Sequence, residues 1–406
     1  MLMNCLTRHS IALSRVVVPE SRLLKRNLSS DRQTFKVIAL ESSADDTCAA
    51  IVDNHRNIWS NVIARQNSLH EINNGIHPLH ALHAHQRNMA RHIILWSATR
   101  SLQVKPMVVR KALDDANLTM NDINGVAFTR GPGITGCLTV AANAAKTLAA
   151  ATAKPLVGVH HMQAHALTAQ LTSSSPPEFP FLCLLVSGGH TMIVLATTVW
   201  DWKILATSAD RAIGSAIDRV VTLLQIPWTE LGPGPGLERF CAEPVPDEEV
   251  LETPPPIIMP GQLAFSFTGI HSWVERTIHK AGGLQNTPKR AVARAFQESA
   301  FQQLTSKLIL AFKWCQNHDC HVQNVIVSGG VASNLLLRKR LKDQLAPWSV
   351  ALDFPDPSLC TDNAVMIGWA AMHRFMAGDH DEYSIGTLPV WSLEDLRNPP
   401  PPPAVR

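Results

Sequence analysis

The sequence predicts an α/β fold built as two similar halves around a cleft, and two repeated devices in a shared order carry that expectation. The first device is an apolar strand, a small polar turn and a second strand. Residues 35–40 (FKVIAL) lead into ESSADDT and then 48–52 (CAAIV), and residues 181–186 (FLCLLV) lead into SGGHT and then 192–196 (MIVLA). The second device is a strand, a glycine-rich loop and a helix. Residues 124–129 enter GPGITG and a helix at about 137–151, while residues 324–327 enter SGGVASN and a helix at about 334–345. Each half therefore begins with a hairpin and ends with strand–loop–helix.

Composition supports a folded body. The chain has 406 residues, 46% hydrophobic and 17% charged, which excludes a mainly disordered chain and a coiled coil. No segment approaches the ~18 consecutive apolar residues of a membrane span. The eight cysteines (5, 48, 137, 183, 241, 315, 320, 360) include no C-x-x-C pair, which excludes a cysteine zinc knuckle and a disulfide scaffold and fits a reducing compartment. The net charge of +3 is concentrated in residues 1–34, where six basic residues face two acids. The near-neutral remainder must hold any nucleic acid through local patches. Residues 1–34, rich in Arg and Ser, read as a mitochondrial transit peptide with a processing site near Arg26-Asn27-Leu28-Ser29. A basic tail on a cytosolic protein is the plainer alternative.

Helical patterns are expected at 86–102, 212–224 and 289–315, with a final helix at 362–377 that could return the chain to the first half. The proline- and acid-rich stretch 243–260 reads as an exposed loop. The tail ends in a proline run that cannot fold alone.

Among chemical candidates, His160-His161-Met162-Gln163-Ala164-His165 follows a strand at 155–159 and opens a helix. His161 and His165 are i, i+4 partners on one helix face and can share a metal, but a third ligand must come from elsewhere; Asp362 is available near the end of a strand-like segment. Met162 stands where a zinc protease would carry its general-base Glu, which argues against proteolysis. The loop 131–136 matches G-x-G-x-x-G, but the next strand ends in His160-His161 rather than an acid, so the dinucleotide reading fails. The glycine turns at 187–191 and 328–334 lack a G-K-[ST] ending; their backbone N–H groups could close around phosphate, with Ser187, Thr191 and Asn334 assisting. His77, His80, His83 and His85 do not share one helix face, so one functional member at most is expected. Arg338-Lys339-Arg340-Lys342 reads as a solvated basic stripe, with a phosphate-backbone contact the minority reading.

Taken together, the motifs ALESSADDT (39–47), GPGITG (131–136), HHMQAHA (160–166), LLVSGGHT (184–191), FSFTG (265–269), SGGVASN (328–334) and LCTDN (359–363) resemble the tRNA N6-adenosine threonylcarbamoyltransferase family, especially its mitochondrial branch, over about residues 36–378. The resemblance implies the actin-like ATPase, sugar-kinase-like (ribonuclease H-like) fold. Its lobes would be residues 35–158, completed by 363–395, and residues 159–362, with 396–406 a disordered proline-rich tail. It implies transfer of threonylcarbamoyl from threonylcarbamoyl-AMP to N6 of adenosine 37 in mitochondrial tRNAs reading codons that begin with A. His161, His165 and Asp362 would hold one divalent metal ion, Zn²⁺ or Fe²⁺. Leu185, Val186, Ser187, Gly188, Gly189, Asp218, Gly234 and Asn334 would bind the adenylate. Asp45 or Asp46 would orient or deprotonate the attacking amine, and His85 matches a family histidine assigned to the catalytic set. The Glu that often follows the proline at position 78 in the family is replaced by Leu79. The resemblance further implies tRNA as partner, an upstream threonylcarbamoyl-AMP synthase, a homodimer, and the mitochondrial matrix as the site of action. A small-molecule kinase or ATPase of the same fold is the alternative; it would use Mg²⁺ with carboxylates and needs no imidazole ligands.

Overall fold

The computed structural model describes residues 33–401 except 73–74, 91–92, 97–101, 106–107, 245–250, 252–254 and 257. The transit-peptide segment, residues 33 and 34 apart, and the end of the tail lie outside the described residues.

The first half opens with three strands, β1 (Lys36–Glu41), β2 (Thr47–Asp53) and β3 (Ile58–Ala64). Helices α1 (Asn67–Ile72) and α2 (Pro78–Ala90) follow, then a two-stranded ribbon, β4 (Ile93–Trp96) and β5 (Leu102–Lys105). The half continues through α3 (Val108–Asp115), β6 (Gly125–Gly131), α4 (Thr135–Ala151), β7 (Leu156–His160) and α5 (His161–Thr172). The second half contains β8 (Phe181–Val186), β9 (Thr191–Ala196), β10 (Trp202–Thr207), α6 (Ile213–Leu224) and α7 (Pro233–Ala242). It then passes through α8 (Thr268–Lys280), α9 (Lys289–Asn317), β11 (Asn324–Ser328), α10 (Leu335–Leu345), β12 (Ala351–Asp353) and α11 (Pro357–Cys360), after which α12 (Ala364–Met376) returns to pack on β1, β2 and β6 of the first sheet.

Two five-stranded sheets have the same design, β3-β2-β1-β6-β7 and β10-β9-β8-β11-β12. In each, the first three strands pair antiparallel and the last two join in parallel. The irregularities correspond in part: β2/β3 and β9/β10 both carry a register shift, whereas the shift between β6 and β7 has no counterpart in β11/β12. The central strands β1 and β8 are almost wholly apolar because helices cover both faces of each sheet.

One core packs α3 and α4 on the outer face of the first sheet, and another packs α6, α8, α9 and α10 on the outer face of the second. A third draws on both sheets, with α5 and α12 between them. Glycine permits the tight seating of α12: a Cβ on Gly368 would stand 2.7 Å from Val52 Cγ2 and 3.3 Å from Ala39 Cβ.

Three expectations need correction. The helix expected at 86–102 stops at Ala90, and the continuous apolar run Ile93-Ile94-Leu95-Trp96 forms a strand instead, as a β-prone run does when a partner strand is near. The chain also stays packed past the boundary set at 395, since Leu396 is buried and Arg397 makes a bidentate ion pair with Asp201, with N···O distances of 2.6 Å. The basic stripe on α10 is only partly available. Arg338 donates to the carbonyls of Ala332 and Pro355, and Arg340 pairs with Glu298, leaving Lys339 and Lys342 exposed.

Candidate metal centre and nucleotide cleft

His160, the last residue of β7, caps α5: its Nδ1 accepts from the N–H groups of Met162 and Gln163. With the helix start fixed, His161 and His165 lie one turn apart and edge to face, ring centroids 4.7 Å from each other. Asp362 arrives from the short link between α11 and α12. Its Oδ1 lies 3.1 Å from His165 Nε2 and 3.5 Å from His161 Nε2, and one ligand atom from each residue falls within 4.8 Å of the others.

Both histidines are buried, and the carboxylates of Asp362 and Glu41 flank His161. Burial works against a charged His161, yet the Asp362 and Glu41 carboxylates outweigh it and hold the imidazole up to about 10. Burial opposes ionisation of Asp362, but the His161 charge and hydrogen bonds from both histidines hold its carboxyl well below the usual range. His165 is pushed down by burial, towards the neutral form a ligand needs, whereas His161 must give up its proton to take an ion. Two imidazoles and one carboxylate suit Zn²⁺ or Fe²⁺ and leave coordination positions open. The residues fit a divalent ion.

The acidic turn between β1 and β2 forms the opposite wall. Asp46 is buried and pairs with Arg65 at 3.6 Å. Burial, then the Asp45 charge, push its carboxyl up to about 8. Asp45 is only half-buried; lost hydration, then the Asp362 charge, raise it to about 6. His85 is fully buried behind this turn. Its Nε2–H donates to the Ala44 carbonyl at 3.1 Å, and its Nδ1 meets the Thr47 hydroxyl at 2.8 Å. The expected catalytic contact from His85 is thus replaced by a hold on the turn.

The glycine loop after β6 closes on the same turn. A Cβ at Gly133 would stand 2.7 Å from the Ser43 carbonyl, which accepts the Ile134 N–H at 2.8 Å. That is a close backbone approach rather than a dinucleotide fingerprint.

Across the cleft, Ser187 closes a tight turn with His190 through two hydrogen bonds, Ser187 N–H to the His190 carbonyl at 2.8 Å and His190 N–H to Ser187 Oγ at 3.1 Å. Gly188 and Gly189 at its tip are exposed, with open space where a Cβ would be. Leu185 and Val186 are buried in β8, so only their backbone could meet a ligand, and Gly329 lies against the Val186 carbonyl. Asp218 on α6 keeps an exposed edge, yet partial loss of hydration, then the Asp45 charge, push its carboxyl up to about 7. Gly234 opens α7 with free space above it. Asn334 caps α10, its Oδ1 accepting the Leu337 N–H at 3.0 Å.

Three further side chains belong to this arrangement and were not singled out from sequence. Glu41, at the end of β1, accepts from His161 Nδ1 at 3.1 Å. His190 feels the charges of His161, His165 and Asp362 and is lowered to about 4, chiefly by burial. Glu238 reaches from α7 to the first N–H of α10, the Leu335 amide, at 2.7 Å, tying the helix of Gly234 to the helix of Asn334. Only position within a recognised motif could have flagged Glu41 and His190; nothing local marks Glu238.

Two sheets of one design, meeting around a shared helix that carries a candidate ion site beside glycine turns, define a two-lobed protein of the actin-like ATPase fold. HypF of T. kodakarensis shares this fold, with a TM-score of 0.51 at 12% identity over 85% of this chain and 48% of that one. The sequence narrows the class: the family profile TsaD, tRNA N6-adenosine threonylcarbamoyltransferase, matches residues 57–369. Two relatives are named as mitochondrial tRNA N6-adenosine threonylcarbamoyltransferases, the second of them as probable. The Schizosaccharomyces pombe protein is 35% identical over 383 residues (90% of this chain, 88% of that protein), and the Arabidopsis thaliana protein 35% over 372 (89% and 73%). A tRNA N6-adenosine threonylcarbamoyltransferase of Brucella anthropi is 34% identical over 371 residues, 90% of this chain and 97% of that protein. The chain belongs to the tRNA N6-adenosine threonylcarbamoyltransferase family and is a transferase.

Proposed function

We propose that the protein transfers the threonylcarbamoyl group of threonylcarbamoyl-AMP to N6 of adenosine 37 in mitochondrial tRNAs that read codons beginning with A. The observation that carries this reading is the convergence of His161, His165 and Asp362 opposite the acidic turn, with open glycine backbone nearby. We take the lobes as residues 35–158, completed by α12 and the packed chain to Arg397, and residues 159–362.

When bound by His161, His165 and Asp362, Zn²⁺ or Fe²⁺ would polarise an oxygen of the donor and fix its orientation. The remaining work falls to the chain. Backbone N–H groups of Gly188 and Gly189, at the exposed tip of the turn, receive the phosphate, and Asp218, Gly234 and Asn334 enclose the nucleoside. Asp45, half-exposed and facing the cleft, accepts a proton from the exocyclic amine as nitrogen bonds to the carbamoyl carbon. The carbamoyl–phosphate C–O bond breaks, and AMP departs with the electron pair. Asp46, paired with Arg65, and His85, bound to Ala44, hold the turn in place.

A kinase reading is not favoured, because the ion site uses two buried imidazoles rather than carboxylates alone. The mitochondrial relatives and the basic first 34 residues support action in the mitochondrial matrix, and an upstream threonylcarbamoyl-AMP synthase would supply the donor. The family resemblance supports a homodimer. Among the described residues no helix is long and apolar enough to cross a membrane. Incubating the chain lacking residues 1–34 with threonylcarbamoyl-AMP and unmodified tRNA, then measuring nucleosides by mass spectrometry, tests the proposal. Threonylcarbamoyladenosine is expected; unmodified adenosine alone would overturn it.

A further inference from the structure

We infer that Glu41 is the positioning residue of the ion site: its carboxylate sets the tautomer of His161 and joins the acidic turn to the ligand set. The inference rests on the metal reading proposed above.

Glu41 is fully buried at the end of β1, and among the described residues its one ion-pair partner is His161. A buried carboxylate is expensive unless donors saturate it, and three do so here. One oxygen faces His161 Nδ1 at 3.1 Å and also accepts the Thr129 hydroxyl; the other accepts the backbone N–H of Ser43. An ionised carboxylate can only accept, so Nδ1 must carry a hydrogen. Nε2 is then the atom left to hold an ion, and Nε2 is the nitrogen aimed at Asp362, 3.5 Å away. Two neighbouring parallel strands build the anchor, since Thr129 lies on β6, beside β1. Because Ser43 stands two residues before Asp45, the same carboxylate governs both the imidazole's orientation and the root of the turn that carries Asp45.

The experiment compares the parent, Glu41→Gln and His161→Ala, titrating Zn²⁺ against a chromophoric chelator and recording thermal melts. Gln keeps the volume of Glu but loses its charge and its obligatory acceptor character. Loss of such an outer partner is expected to weaken zinc affinity about 10–100-fold while a cooperative melt is retained. Affinity within about twofold of the parent, even with a lowered Tm, would reduce Glu41 to a structural role and overturn the inference. A parent that binds no zinc would overturn the metal reading and this inference together, so the two failures are distinguishable. Should Glu41→Gln fail to fold, ¹⁵N spectra of the zinc-loaded parent decide: Nδ1 protonated with Nε2 coordinated is expected, and coordination through Nδ1 of His161 refutes it.

Discussion

His165 Nε2 lies 3.1 Å from Oδ1 of Asp362, although 197 residues separate the two. The chain joins them by running α5 between the sheets and bringing the start of α12 back beside it. Asp362→Asn keeps the shape of this contact and removes its charge. Zinc affinity should fall by at least about 100-fold, and threonylcarbamoyl transfer should fall with it. Metal content by plasma mass spectrometry and nucleoside analysis check this, and a variant with full metal content and parental activity would remove Asp362 from the site.

Asp45 should give the reaction a rising pH limb. Its neighbours are Asp46 and Glu41 in the same segment, Arg65 after β3, Asp362 before α12 and Asp218 on α6. Lost hydration and the nearby carboxylates raise it to about 6, so the proton-accepting form grows through that pH. Single-turnover rates should climb from pH 5 to 7 in the parent, and Asp45→Asn should lose that limb along with about 10²–10⁴-fold of the rate. An unchanged profile in Asp45→Asn would move the proton-accepting role elsewhere.

Asp46 predicts a stability change of defined sign. Its carboxyl is raised from 3.8 to about 8 in the folded protein, chiefly by burial and by Asp45. Between those values the folded state holds a proton that the unfolded chain releases, so this group's contribution is present at low pH and is lost as pH rises towards 8. Asp46→Asn in the metal-free protein should therefore lack that decline and be more stable than the parent at pH 9, by about 1–3 kcal/mol once the Arg65 pairing and residual water are discounted. Denaturant melts at pH 5 and pH 9 measure it; equal stability changes at both would contradict the assignment.

Two glycines that look alike in sequence should respond differently. Gly329 has φ +100°, and a Cβ there would stand 2.4 Å from the Val186 carbonyl oxygen, so Gly329→Ala should destabilise the fold by about 2–4 kcal/mol. Gly188 has open space around it, so Gly188→Ala should keep its Tm within about 2 °C while weakening donor binding, because the added methyl enters the ligand's side of the turn. Thermal melts and binding of a non-hydrolysable adenylate analogue separate the two effects.

The amino-terminal address is tested by fusing residues 1–34 to a fluorescent reporter. Mitochondrial fluorescence is expected, and a cytosolic signal would favour the plain basic tail.

Much of this architecture was legible before any coordinates, for identifiable reasons. The hairpins and strand–loop–helix units are local and repeat, so apolar runs and glycine punctuation exposed both halves. His161 and His165 follow from helical spacing alone, whereas Asp362 could be offered only as an available carboxylate and was assigned to the pair through family likeness, because no local pattern reveals a partner so distant in sequence. Glu41 was hidden inside a motif whose Asp45 and Asp46 drew attention; its role depends on a side chain turning back towards α5. The ribbon of β4 and β5 was missed because an apolar run of four residues fits a helix face as readily as a strand. Arg338 and Arg340 looked like a free basic stripe because acceptors at Ala332, Pro355 and Glu298 cannot be read from the pattern of α10.

The seating of α5 between the two sheets has a mechanical consequence. A helix clamped on both flanks behaves as an axle, so swinging one half against the other displaces groups in proportion to their distance from it. His161 and His165 ride on the axle itself and would keep their spacing through such a swing. Asp362, carried by the link before α12 rather than by α5, is the member of the trio whose distance from the pair such a swing would change.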